Sequence, residues 1–591
     1  MHKPASPSSF LAEPDPGASP ARSPAEAFAL PAMLLACTLA PLIAYNLTPN
    51  ATLFNQLAAL SGWGGVLLML PPLRGARGAA DAAQLALLLL LAAALASPLW
   101  TGLPLSLALS GAALLAAAWW VLSAAARLDA ADARHWWGAL CWALLVAGVA
   151  SVAVSLVQVF APALADGTLI ARSGIAGRAV GNLRQPNHLS SLMLWSAIAA
   201  VWLAEAGRLG APQRARWLLP ALLFAFVFTI VMSASRTGMI GVLLLLAWGA
   251  LDRQLSRPAR AALLATPLML AASWGLMSAW AHLGEHAFGA ESRLAEGAGS
   301  PSRVAILRNT WALLQMHPWT GVGWGEFNLA WTMTPFPDRP IAFFDHCHNL
   351  PMQLLVELGW PLGGAVLALL GWSLWRAWRA AAQATGERAR VLRAALLILL
   401  AIGLHSLLEY PLWYAYFLLP TAFAMGIALG GREPGPPQPA RPLRWQIGGA
   451  VLIAGSAFAA ADYLQVVAIY APPARPTPLM QRVERGQHGV FFTTQADYAA
   501  ATSFGPSDEA LAATQRTAHN LIDQRLLMNW AQTLNALGDV DRARYVVQRL
   551  REFKPAGAQA DWLAVCEDAS VSPRPWQCLP PQRGYRWQEM R

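Results

Sequence analysis

Residues 345–351 read Asp345-His346-Cys347-His348-Asn349-Leu350-Pro351, and the chain then continues through uncharged residues to Glu357-Leu358-Gly359 inside a long apolar run. Two imidazoles, a carboxylate and an amide therefore stand at the mouth of a segment with the composition of a membrane helix. Polar groups fixed where hydrocarbon meets water can work on a headgroup lying at that surface.

The rest of the chain has the same character. Of its 591 residues, 56% are hydrophobic and 13% charged, against about 25% charged in ordinary soluble domains, and the mean hydropathy is +0.41. Apolar runs of about 17 to 25 residues, each long enough to cross a hydrocarbon core as a helix, recur along the first three quarters. About thirteen are expected, centred near Leu35, Gly64, Leu90, Leu115, Leu145, Met193, Phe224, Leu244, Leu270, Val366, Leu399, Leu418 and Ala454. The predicted class is all-α, a polytopic membrane helix bundle. Residues 1–25, rich in Pro, Ser and Ala, read as a disordered cytoplasmic lead. Residues 26–462 form the transmembrane part with a long external loop over 282–350, and 463–591 a small helical tail.

Orientation follows from the arginines, because positive charge in short loops stays cytoplasmic. Arg74 and Arg77, Arg127 and Arg134, Arg208 to Arg216, Arg253 to Arg260, Arg376 to Arg393, and Arg432 to Arg444 occupy every second loop. The alternate loops and the tail are then external, which predicts a multi-pass membrane protein with its working face outside the cytoplasm. The net charge of +10 is a topology signal, and no nucleic-acid partner is implied. Cys566 and Cys578 lie close together in the tail, where an oxidising compartment would allow either a disulfide or two free thiols. Asp523 to Ala536 and Val540 to Phe553 carry helical apolar spacing around the turn Leu537-Gly538-Asp539, either a bland hairpin or a docking surface.

Candidate chemistry lies in polar groups stranded beside apolar spans, where charge is costly without a purpose. Arg236, in Ser233-Ala234-Ser235-Arg236-Thr237-Gly238, sits on the external side, wrong for a topology anchor. A guanidinium fork suits a pyrophosphate because it binds two oxygens at once. Arg184, with Gln185, Asn187 and His188, forms a second external turn aimed into a span, and Arg303 opens a helical segment in the long loop. His348 is the candidate general base, since a neutral imidazole has a nitrogen free to take a hydroxyl proton. Asp345 is the candidate to orient its ring, His346 competes with it, and Glu357 is expected to pair deeper in the bundle. His405, Glu409 and Tyr410 form a fourth cluster, readable equally as a structural ion pair or a substrate contact. No spacing suggests a glycosidase pair, a zinc cluster or a cation site for a nucleotide sugar, so no metal or cofactor is expected.

Gly181-Asn182-Leu183-Arg184-Gln185-Pro186-Asn187, Ser233 to Gly238, the glycines between Pro318 and Phe327, His348-Asn349-Leu350 through Gly359, and His405 through Tyr416 together resemble the O-antigen ligase and polymerase superfamily. Leu408-Glu409-Tyr410-Pro411-Leu412-Trp413-Tyr414 and the long tail look most like its pilin-type protein O-oligosaccharyltransferases, often called PglL. The resemblance implies a GT-C-like membrane glycosyltransferase that moves a preassembled oligosaccharide from undecaprenyl pyrophosphate to a Ser or Thr hydroxyl of a pilin or other periplasmic protein, inverting the anomeric carbon without a metal. His348 would be the base and Arg236 with Arg184 would hold the pyrophosphate; Gln185, Asn187, Arg303, Asn349, His405, Glu409 and Tyr410 would position donor or acceptor. The alternatives are an O-antigen ligase acting on lipid A core, a chain polymerase, and a transporter that breaks no bond.

Overall fold

The computed structural model describes residues 24–71, 80–291, 301–430 and 443–591. The expectations for the lead up to residue 23, for Arg74, Arg77 and Arg432, and for the loop between residues 292 and 300 lie outside them. The described residues are helical, with one isolated bridge between Leu47 and Asn50 as their only strand-like pairing. Among the described residues, eight helices are long and apolar enough to cross a membrane, and the bent pair Arg257–Leu264 and Thr266–Gly284 makes a ninth if counted as one span. Four shorter apolar helices, Ala27–Leu42, Leu53–Met69, Arg236–Leu251 and Ala415–Leu429, complete the bundle. Every centre expected from the sequence falls within one of these helices, while length alone qualifies fewer of them as full spans. The protein is a multi-pass membrane helix bundle.

Lipid gives two apolar helices no hydrophobic reason to associate, so close packing of small residues carries the contact. The Leu53–Met69 and Leu443–Tyr470 helices meet at Gly64 and Gly449, where a β-carbon on Gly64 would stand 2.7 Å from the Gly449 carbonyl oxygen. The arginine loops gather at one end of the bundle. There Arg134 pairs with Glu387, Arg393 with Asp252 at 2.5 Å, and Arg390 donates to the Glu205 carbonyl at 2.9 Å.

The long loop and the tail lie at the other end and share one core. Trp331, Phe327 and Leu313 of the loop are buried with Trp530, Tyr545 and Val546 of the tail. Arg339 crosses between them, donating to Glu552 at 2.8 Å while stacking on Trp331. The expected hairpin is present as Gln524–Ala536 and Val540–Glu552, capped by Asp523 and Asp539. Cys566 and Cys578 are joined by a disulfide.

One span is broken where the loop crosses it. Gly359 has φ 73° and ψ 174° inside Leu350–Gln383, which frees carbonyls that a continuous helix would satisfy. The glycine segment supplies the missing donors: Val322 N–H reaches the Val356 carbonyl at 2.8 Å and Gly323 N–H the Glu357 carbonyl at 2.9 Å. The approach excludes side chains, since a β-carbon on Gly321 would lie 2.4 Å from the Glu357 carbonyl carbon.

Candidate active site

Three turns with one local design converge at the end of the bundle opposite the arginine loops. In each, a non-glycine residue in the left-handed region precedes an N-cap whose side chain accepts from the first turn of a helix. The left-handed residues are Arg184 (φ 56°), Ala234 (φ 53°) and His348 (φ 59°). The caps that follow are Gln185, accepting from His188 N–H, Ser235, accepting from Gly238 N–H, and Asn349, accepting from Met352 N–H. Left-handed backbone costs about 1–3 kcal/mol away from glycine and collects at functional sites. Its appearance in all three motifs marks them as one construction, and it places positive helix ends beside one another.

Glu409 ties the construction together. Its Oε2 lies 3.0 Å from His348 Nδ1. Its Oε1 accepts from Arg303 Nη2 at 2.6 Å and from Asn187 Nδ2 at 3.0 Å. Asn187 Oδ1 accepts in turn from the Ser235 hydroxyl at 2.6 Å, and that hydroxyl lies 2.9 Å from Ser190 Oγ. Residues from the Pro186–Glu205 and Pro301–Met316 helices and from the turn before Leu350 thus meet at one carboxylate carried by the turn before Pro411, and the cap before Arg236 joins through Asn187. Burial pushes the Glu409 carboxyl up, but the hydrogen bond and charge of His348 and the charge of Arg303 outweigh it and hold the group below its ordinary range.

A carboxylate on Nδ1 selects the tautomer: Nδ1–H donates to Glu409, and in the neutral ring the lone pair is then on Nε2. His348 is partly buried, with 18% of its side chain exposed. Tyr410 lies edge-on to it at 5.1 Å and stacks on His346 at 4.3 Å, so one phenol ring separates the two imidazoles.

Several residues stand elsewhere than the sequence pattern suggests. Asp345 sits 3.2 Å from His346 Nδ1, so the carboxylate that orients His348 is Glu409, on another loop. His348 precedes the helix cap and does not begin the helical stripe. Glu357 accepts from Gln353, whose own oxygen accepts from Cys347 N–H, so it braces the turn from behind. Arg184 donates to the carbonyls of Ala44 and Ala51 and to Asn46 Oδ1, the last at 2.9 Å, which ties its turn to the segment after the first helix. Gln185 and Asn349 spend their side-chain oxygens as caps, and Asn349 also donates to the Leu407 carbonyl at 3.0 Å. His405 is wholly buried against Ser191 Oγ at 2.8 Å. Arg236 is the first residue of its helix, adjoining Ser235.

Ser235 is a site residue that sequence reasoning misses, although its place before Arg236 as an N-cap is a readable signal. Two more are Gln158, whose amide binds the backbone of Ala171, Val180 and Gly181, and buried Arg178, which donates to the Ser233 carbonyl at 2.7 Å. Gln158 holds the Arg184 turn and Arg178 the Ser235 turn, and neither shows a pattern in sequence. Among the described residues, no three His, Cys, Asp or Glu side chains converge to hold a metal ion.

The family comparisons fall on these same segments. Residues 179–204 match a protein glycosylation ligase family, residues 221–367 an O-antigen ligase family, and residues 393–564 the C-terminal part of a virulence factor membrane-bound polymerase family. Together they hold Arg184, Asn187, Ser235, Arg236, Arg303, His348 and Glu409. These segments are similar to O-antigen ligases and protein glycosylation ligases. Among curated proteins of Acinetobacter baylyi, a general O-oligosaccharyltransferase is 29% identical over 257 residues, covering 42% of this chain and 43% of that protein. A ComP-specific O-oligosaccharyltransferase is 25% identical over 257 residues, 43% of this chain and 44% of its own length. The match thus spans less than half of each relative.

Proposed function

We propose that the protein is a membrane O-oligosaccharyltransferase that moves a preassembled oligosaccharide from a polyprenyl pyrophosphate to a protein hydroxyl at the periplasmic face of the inner membrane. The observation that carries this reading is the Glu409–His348 pair. With Nδ1–H held by the carboxylate, Nε2 takes the proton of an acceptor Ser or Thr hydroxyl as its oxygen attacks the anomeric carbon. The new glycosidic bond forms while the bond to the diphosphate oxygen breaks, with inversion, and the electron pair leaves with the lipid diphosphate. Glu409 stabilises the imidazolium so formed.

Charge gathering on the departing diphosphate meets fixed positive groups. Arg303 and Arg236 supply guanidinium charge, and the helix ends at Pro186 and Arg236 supply oriented N–H dipoles. A diphosphate is already a good leaving group, so activity is expected to survive chelation with EDTA. Arg184 acts in this scheme by holding its turn.

The match of residues 179–204 to protein glycosylation ligases favours a protein acceptor, and the disulfide in the tail fits an oxidising compartment. The same chemistry on lipid A core or on a growing glycan is the second reading, favoured by the O-antigen ligase match over residues 221–367. Mass spectrometry of periplasmic and pilus proteins, with lipopolysaccharide gels, from cells with and without the protein separates them. Loss of protein-linked glycan with unchanged lipopolysaccharide is expected; the converse would reassign the acceptor.

A further inference from the structure

Beside the His348 cluster, on the far face of Tyr410, lies a cavity of about 470 Å³ that the proposed transfer does not use. Four apolar helices wall it: Leu90 comes from Asp81–Thr101, Leu115 from Leu105–Ala125, Leu354 from Leu350–Gln383 and Leu418 from Ala415–Leu429. Its polar lining includes amides and hydroxyls at Gln56, Ser110, Asn328 and Thr421 beside acidic groups and imidazoles. Asp345, His346 and Glu357 contribute, and the tail adds His519 and Asn520. No lysine or arginine is among the described residues that line it.

Three observations bear on what it takes. Its volume suits a small molecule and not a protein segment. Its body is apolar, which suits a hydrocarbon chain. Its polar end offers carboxyl groups and imidazoles with no lysine or arginine, and His346 Nδ1, though 3.2 Å from Asp345 Oδ1, makes no hydrogen bond among the described residues. A phosphorylated headgroup placed there would be stripped of water beside two carboxylates without compensation, a costly arrangement. A hydroxyl-rich uncharged head would instead donate hydrogen bonds to acceptors already in place.

We propose that this cavity binds a single-chain amphiphile with an uncharged polyol head, separate from the arginine-bearing side where a lipid diphosphate is held. His519 joins the tail to the mouth, because its Nδ1 lies 2.7 Å from Glu326 Oε2 in a buried pair. The tail is therefore part of the site.

The test uses the full chain in amphipol, with dodecyl maltoside and dodecyl phosphate as probes of equal chain length, read by native mass spectrometry. Saturable binding of the maltoside at least tenfold tighter than the phosphate is expected. Equal or tighter binding of the phosphate would overturn the proposal. Leu115→Trp, which fills the apolar wall, should abolish maltoside binding. The near-isosteric Glu357→Gln, which keeps the volume, should instead narrow the preference for maltoside by at least threefold. An unchanged preference in that variant would show that the acidic lining does not select the head. Binding is read without glycan transfer, so its failure and a failure of the transferase reading are distinguishable.

Discussion

His346 and His348 are two residues apart and occupy opposite environments. The ring of His348 meets Glu409, which also holds Arg303 and Asn187, at the junction of three helix starts. The ring of His346 lies against Asp345, stacks on Tyr410 and lines an apolar cavity without cations. The difference comes from backbone geometry: the left-handed turn at His348 throws its side chain away from that of His346, and buried Cys347 anchors the segment between them. Similar imidazoles acquire different roles from the carboxylate each one faces. In the proposed reaction we assign proton transfer to the ring whose partner is itself held in an ion network.

The sharpest way to break this comparison is Glu409→Gln. Losing the carboxylate removes the tautomer control of His348, and a fall of about a hundredfold or more in transfer rate is expected. In a His348→Ala background the same change should add almost nothing, because the two residues act as a unit. Additive losses would separate them.

Arg303→Lys keeps the charge and loses the fork. A loss of about tenfold in transfer rate is expected, equivalent to about 1.4 kcal/mol. An unchanged rate would remove Arg303 from the site.

The pH dependence of stability sharpens the same point. Glu409 is held below its ordinary value of 4.5, so its ionised form stabilises the fold above that pH. That contribution is lost as pH falls through the lowered folded value. Thermal unfolding of wild type and Glu409→Gln should therefore converge as pH drops from about 5 toward 3. A gap that stays constant would show that the carboxylate is not stabilised by His348 and Arg303.

Gly359→Ala touches neither imidazole and should act on the scaffold they share. Its φ of 73° and a β-carbon 2.4 Å from the Trp319 carbonyl oxygen strain the loop crossing, at a cost of about 1–3 kcal/mol. Earlier thermal unfolding with little change in the activity per folded molecule is expected.

The helices, their approximate centres and the tail hairpin were legible in the sequence because each is set by local spacing and composition. That Asn187, Arg303, His348 and Glu409 belong to one candidate cluster was legible for a related reason: charged and amide groups are costly beside apolar spans, so the few that stand there draw attention. The pairings were not. Glu409 lies 61 residues from His348 and Asp345 lies three, so sequence proximity favoured the wrong carboxylate. The choice is made by the left-handed turn at His348 and by the packing of the Pro411 turn, which no periodicity reports. Arg184 shows the same limit. Its residue type suits a phosphate, but the Ala44 and Ala51 carbonyls and the Asn46 side chain take three of its five N–H donors.

The most direct test measures initial glycan-transfer rates of His348→Ala and His346→Ala in the same proteoliposomes, with saturating polyprenyl pyrophosphate donor and a pilin acceptor. A His348→Ala rate below about one hundredth of the His346→Ala rate is expected. Equal rates, or a greater loss in His346→Ala, would contradict the assignment of the base.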